Sequence, residues 1–331
     1  MNELSSTAAP GRATIRLGAD AAGVGSAAAI LAEGGLVAVP TETVYGLAAD
    51  ATDPSAVARI YAAKGRPAFN PLIAHLPDVA AARREGVFDA PALALARVFW
   101  PGPLTLVVPA SSGGTVCELA RAGLSSVGLR VPDHAVTLQV LRALGRPLAA
   151  PSANRSGHVS PTSAAHVLAD LDGLIDAVLD AGPCDVGVES TIIACLGGAP
   201  RLLRPGAVTR AEAERVLGCS LAEGLDDASA PVAPGQLASH YAPRARLRLN
   251  ATAPREDEAW LGFGPDPVAD GGGSRANLSP SGDLVEAASR LFALLRQLDA
   301  SGAAVIAVAP IPRQGLGEAI RDRLDRAAAP R

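Results

Sequence analysis

Residues 26–54, SAAAILAEGGLVAVPTETVYGLAADATDP, decide the fold class. SAAAILAEGG reads as a short helix stopped by Gly34 and Gly35, since glycine closes helices through the left-handed conformation. LVAVPTET then reads as a buried strand that runs into a polar turn. Asp53-Pro54 starts the next helix, through about Ala63, with proline in the first turn, where its missing N–H costs nothing. A buried strand between two helices, ending in polar residues, is the unit from which α/β domains are built.

Working outward, the same alternation continues. PLIAHL, LTLVVP, SVGLRVP and PLAAPSAN predict strands, and PALALARVF, AVTLQVLRALG and SAAHVLADL predict helices, the last capped by Ser163 or Thr162. AVLDAG, STIIACL and RLLRPG complete a strand-rich stretch. Several strands follow one another directly, which predicts a mixed, twisted sheet rather than a strict βαβ repeat. After Gly206 the composition changes. Residues 209–245 hold a short helix and then EGLDDASAPVAPGQLASHYAPRA, rich in Ala, Pro, Gly and Ser, which reads as a linker. From Arg246, strand, helix, strand, helix in about 85 residues predicts a small parallel-sheet, Rossmann-like α/β domain. The expected organisation is a disordered tail at 1–12, a larger α/β domain at 13–208, a linker or lid at 209–245 and a C-terminal domain at 246–331.

Composition narrows the function. The chain has 331 residues, 49% hydrophobic and 19% charged, which excludes a disordered protein. No apolar run reaches the 18–20 or so residues of a membrane span. The first twelve residues lack the cationic start and apolar stretch of a secretory signal. A net charge of −4 argues against a protein whose main work is gripping nucleic acid by charge. Cys117, Cys184, Cys195 and Cys219 match no zinc or redox spacing, so free thiols in a reducing cytoplasm are expected. There is no GxGxxG and no Walker A loop. The chain contains one lysine, Lys64, and otherwise uses arginine for positive charge. Arginine cannot copy the compact ammonium of lysine where a point charge must fit among oxygens.

Four polar clusters fall at predicted strand ends, where α/β sites lie. The first is Pro40-Thr41-Glu42-Thr43-Val44-Tyr45-Gly46 and the second Lys64-Gly65-Arg66-Pro67 with Asn70 and His75. The third is Ser126-Val127-Gly128-Leu129-Arg130, in which a cation sits in an apolar strand and needs an ion pair or an anion. The fourth joins Pro151-Ser152-Ala153-Asn154 to Val188-Glu189-Ser190-Thr191 and Arg204-Pro205-Gly206. No cluster offers a nucleophile elbow or a histidine pair at metal spacing. Cations, hydroxyls and amides remain, which suit the binding of phosphates and a small acid, and nucleotidyl or phosphoryl transfer without covalent catalysis.

PTETVYGLAADA, KGRPAFNPLIAH, SVGLRVPDH, APSANRSG, GVESTII and RLLRPGA, in this order over about residues 23–208, resemble the YrdC family. SHYAPRA and the extra α/β unit resemble its longer, two-domain threonylcarbamoyl-AMP synthase form. The resemblance implies a twisted sheet around a concave, positive cavity. It implies that L-threonine, bicarbonate or CO₂, and ATP are joined into threonylcarbamoyl-adenylate with release of pyrophosphate. A partner transferase would then load the group onto the adenosine beside the tRNA anticodon. Carried over motif by motif, threonine would meet Thr41, His75, Arg130 and Ser190. ATP would meet Lys64, Arg66, Asn70, Ser126, Ser152, Asn154, Arg204 and, from the linker, Tyr241, with Lys64 and Arg66 in the catalytic role. Mg²⁺ is expected with the ATP phosphates and not from a side-chain ligand motif. Weak tRNA affinity would be compatible with this reading.

Two rivals are weaker. YrdC-like domains also occur in hydrogenase-maturation carbamoyltransferases that start from carbamoyl phosphate, but this chain lacks their zinc-finger CxxC pairs and acylphosphatase-like module. A non-catalytic RNA-binding module would use a basic concave face, yet aromatic residues make up only 3% of the chain and no RNA-binding motif is present.

Overall fold

Short polar caps punctuate the chain and set where its helices begin. In this computed structural model, residues 13–224, 240–266 and 273–330 are described. The expected tail at 1–12 and residues 225–239 of the expected lid segment lie outside them. Asp20, Asp53, Asp78 and Asp89 cap the helices Ala21–Ala32, Pro54–Lys64, Val79–Glu85 and Ala90–Phe99, each carboxylate accepting a backbone N–H of the first turn. Ser163 caps Ala164–Leu171, and Thr209 with Glu212 forms a capping box on Arg210–Leu217. Helix Ala21–Ala32 starts five residues before the SAAAILAEGG reading, because Asp20 supplies the cap there.

The sheet of the first domain has eleven strands among the described residues. In spatial order they are Ile15–Gly18, Ala177–Asp180, Val37–Val39, Gly46–Asp50, Leu148–Ala149, Ile73–His75, Ser126–Arg130, Leu104–Pro109, Thr191–Ala194, Arg201–Arg204 and Ala222–Glu223. Parallel and antiparallel pairs are mixed. Ile15–Gly18 was not read from sequence: its four residues are mostly exposed and lack the apolar run of the central strands. Helix Val79–Glu85 was also missed.

Two registers place the site. Ile73–His75 runs parallel to Ser126–Arg130 with His75 opposite Arg130, which puts an imidazole and a guanidinium side by side at one strand end. Leu104–Pro109 runs parallel to Thr191–Ala194 with Leu104 opposite Thr191, so Ser190 emerges beside Thr105. The core between sheet and helices is aliphatic, with Leu47, Ile60, Leu95, Leu104, Leu106 and Leu129 fully buried.

The C-terminal unit is a four-stranded, all-parallel sheet ordered Arg246–Arg248, Val305–Val308, Ala259–Gly262, Arg275–Asn277. Helices Leu284–Ala300 and Leu316–Ala328 cover it. Arg275–Asn277 was hidden in the sequence behind a loop-like glycine run. The two units share apolar packing: Val44, Val159 and Val188 of the first belong to the core of the second. At Gly187, with φ of +77°, a Cβ would stand 2.5 Å from the Ala288 carbonyl, so only glycine lets helix Leu284–Ala300 approach this closely. The four cysteines are free. Among the described residues no helix is long and apolar enough to cross a membrane.

Candidate functional site

A cavity opens where the strand ends of the first domain meet the start of the second. Its lining gathers Arg66, His75, Arg130, Ser152, Ser190, Arg204 and Tyr241 from the residues predicted above, together with Glu189, His240 and the apolar Val44 and Ile73. Sequence spacing separates these residues by up to 197 positions, Val44 to Tyr241; the sheet registers bring them to one place.

Arg130 is buried and meets Thr43 Oγ1 at 2.9 Å through Nη2. Glu42 Oε1 stands 2.7 Å from the same nitrogen. Neither Glu42 oxygen has an aligned hydrogen-bond donor among the described residues, so charge and not hydrogen-bond geometry holds this pair. The cation in an apolar strand therefore has its counter-ion, and it also faces the cavity. His75 beside it is neutral: burial, helped by Arg130, pushes its pKa down to about 3. Its Nδ1 lies 3.3 Å from the Ile73 carbonyl.

On the other wall, Arg204 donates to the Ser190 carbonyl at 2.8 Å and to its hydroxyl at 3.2 Å, and Thr105 Oγ1 lies 2.8 Å from the same hydroxyl. Arg66 is held by the carbonyls of Asn70 and Pro71 at 3.3 and 3.0 Å. Burial lowers the pKa of Arg66 to about 10, so it stays charged at neutral pH. Three arginines against the single lining carboxylate, Glu189, leave the cavity positive, suited to phosphate and carboxylate groups.

Five predicted residues do not line the cavity. Lys64 is buried at the end of its helix, and its ammonium donates to the carbonyls of Ser152 and Asn154. It clamps the Ser-x-Asn segment, and burial, with Arg66 nearby, lowers its pKa well below the usual lysine value. Asn154 donates its amide to the carbonyls of Arg155 and His158 at 2.8 and 2.9 Å. The Thr41 hydroxyl closes its own turn: it donates to the Val44 carbonyl at 2.6 Å and accepts the Thr43 and Val44 N–H groups. Ser126 begins its strand opposite Pro109. Asn70 keeps both side-chain polar atoms buried without a partner among the described residues.

Tyr241 enters from the linker with φ of +62°, a left-handed conformation rare for a bulky residue. Its ring stacks on Phe292 at 5.7 Å and meets the His240 ring edge-on at 4.0 Å. Burial pushes His240 down to about 3, with Arg66, Lys64 and Arg204 reinforcing the effect. Sequence reasoning quoted Glu189 and His240 inside motifs without giving them a role. The signal was present, since each directly precedes a predicted site residue.

Residues 29–206 match the Sua5/YciO/YrdC family described as "Telomere recombination", and residues 208–329 match the "Threonylcarbamoyl-AMP synthase, C-terminal domain". The chain belongs to the threonylcarbamoyl-AMP synthase family. It is similar to the threonylcarbamoyl-AMP synthases of Bacillus subtilis, 39% identical with 93% of each chain covered, and of Pyrococcus abyssi, 40% identical with 91% and 93% covered. Its structure is similar to that of Pyrococcus abyssi Sua5 complexed with L-threonine, at a TM-score of 0.87 and 37% identity, covering 96% of this chain and 98% of that one. Membership in the synthase family thus extends over both domains and includes the linker residues that border the cavity.

Proposed function

We propose that this member of the family makes L-threonylcarbamoyladenylate from L-threonine, bicarbonate or CO₂, and ATP, releasing pyrophosphate. The observation that carries this reading is the pairing, in one positive cavity, of Arg130 beside a neutral His75 on one wall with Arg66 and Arg204 on the other. Arg130 suits an amino-acid carboxylate, since its planar fork matches two oxygens. Arg66 and Arg204 suit the polyphosphate. The relative of similar structure complexed with L-threonine supports the amino-acid side.

The threonine amine, once neutral, captures CO₂ as a carbamate and gives up a proton. A carbamate oxygen then attacks the α-phosphorus, and pyrophosphate leaves in line. The chain's part is to orient the two substrates, to stabilise the charge on the leaving pyrophosphate through its arginines, and to keep water from the labile carbamate. Tyr241 borders the cavity and supports the role of a cover over the nucleotide. Mg²⁺ enters this reading as part of the MgATP substrate. Glu189, the one carboxylate lining the cavity, already accepts from Ser160 at 2.5 Å and pairs with Arg323 at 2.7 Å. No group of three or more His, Cys, Asp or Glu is placed for a metal among the described residues. Phosphate oxygens and water would therefore supply the ligands.

The unstable product calls for a transferase that accepts the threonylcarbamoyl group for tRNA, and a cytoplasmic setting follows from that role. The test is pyrophosphate release from MgATP with threonine and bicarbonate added separately and together. Release that needs both, with serine a much poorer substrate, is expected. Folded protein that releases none, yet binds tRNA, would favour the non-catalytic reading.

A further inference from the structure

We infer that Arg323, in the C-terminal domain, is a positioning residue for the nucleotide wall of the cavity, acting through Glu189 and Tyr241 without touching substrate. The role in ATP binding rests on the synthase reading above; the contacts themselves do not. Helix Leu316–Ala328 buries Ala319, Ile320, Arg323, Leu324 and Ala327. Arg323 thus occupies the centre of an apolar stripe, where a cation is costly unless it is partnered; its Nε and Nη1 are partnered, and its Nη2 has no hydrogen-bond partner among the described residues. It is 0% exposed.

Its partners converge on the cavity. Nε donates to Glu189 Oε2 at 2.7 Å, and Nη1 donates to the Pro205 carbonyl at 2.9 Å and to Asp322 at 2.6 Å. The guanidinium carbon lies 5.2 Å from the Tyr241 ring centroid, within cation–π range. Glu189 precedes Ser190, Pro205 follows Arg204, and Tyr241 borders the cavity directly. One side chain of the second domain therefore holds three points of the site wall while remaining outside the lining.

The arrangement exceeds what docking requires. The domains are also joined by Arg210–Glu318 at 2.7 Å, by Arg296–Asp170 at 2.8 Å and by the shared apolar core. Tyr241 holds a left-handed backbone, which needs surrounding contacts to persist. Arg323 over one side of the ring and Phe292 stacked on it supply them.

The chain has three tyrosines, Tyr45, Tyr61 and Tyr241. Full-length protein labelled with 3-fluorotyrosine gives one ¹⁹F resonance for each, and the Tyr241 signal is identified by its loss in Tyr241→Phe. Arg323→Lys, Arg323→Gln and the charge-neutral double variant Glu189→Gln/Arg323→Gln are compared by ¹⁹F spectrum, thermal unfolding and steady-state kinetics. The double variant removes both buried charges, so it reports even if Arg323→Gln alone fails to fold. Expected are a displaced or broadened Tyr241 signal with Tyr45 and Tyr61 unmoved. The ATP KM should rise about tenfold and kcat change less than about threefold. Lysine should restore Tm more than KM, because it lacks the planar fork. A double variant with the native Tyr241 signal and native KM would overturn the inference, as would a KM that tracks Tm across the series. Wild-type protein without threonine-dependent pyrophosphate release would refute the synthase reading. The ¹⁹F comparison would still decide the link between Arg323 and Tyr241.

Discussion

Arg130 Nη2 stands 2.7 Å from Glu42 Oε1, with both side chains buried at the end of a central strand. The pair explains how an apolar strand carries a cation to a cavity wall: Glu42 balances the charge and Thr43 fixes the orientation. Breaking a buried pair by removing one partner costs about 3–5 kcal/mol, so Glu42→Gln should lower stability on that scale in chemical denaturation. Native stability in that variant would mean that the pair is not closed in solution.

Arg130→Lys keeps the charge and loses the two-pronged geometry. The threonine KM should rise at least about tenfold while the ATP KM moves less than about twofold. Titrating each substrate at saturation of the other checks this. Equal rises in both constants would place Arg130 on the nucleotide side.

Lys64→Arg should cut the rate at least about tenfold although charge is conserved, because a guanidinium is too large for the carbonyl pair of Ser152 and Asn154. Pyrophosphate release and thermal unfolding are measured together. Wild-type rates would show that the Ser-x-Asn segment holds its shape without an ammonium clamp.

Acid should destabilise the fold through His75 and His240. Both rings are neutral when folded, with pKa values lowered to about 3 by burial, whereas in the unfolded chain they take up protons below about 6.5. Between those limits the unfolded state binds more protons. Stability therefore falls as pH drops, by about 1.4 kcal/mol per unit for each ring. Unfolding free energies at pH 7, 6 and 5 should fall less steeply in His75→Gln and His240→Gln than in wild type. Parallel slopes would refute the assignment.

Gly206→Ala should damage the Ser190 wall. A Cβ there would stand 2.4 Å from the Thr191 nitrogen and 2.5 Å from the Glu189 carbonyl oxygen, and both contacts are backbone that cannot swing aside. A loss of about 1–3 kcal/mol is expected from overpacking, with a rate loss larger than that of Gly113→Ala, where a Cβ meets nothing within 4 Å. Equal effects at the two glycines would show that the wall yields.

Much of the architecture was legible along the chain. Asp53-Pro54 and Ser163 announce helices through local capping chemistry, and the apolar runs at LVAV and LTLVV announce central strands, because both signals act over a few residues. Ile15–Gly18 and Arg275–Asn277 were not legible: they are short strands, the first mostly exposed and the second only half-buried, whose ladder partners lie far away or behind a glycine-rich loop.

By itself, the sequence determined the α/β class, the motif order and the oddness of a cation at Arg130 and of a lone lysine at position 64. The tertiary structure alone decided which groups face the cavity. It turned Lys64 and Thr41 toward backbone atoms, set His75 opposite Arg130, and carried Arg323 across the domain boundary to Glu189. Those outcomes depend on register and on packing between residues distant in the chain, where a buried charge must find its partner wherever the fold places one.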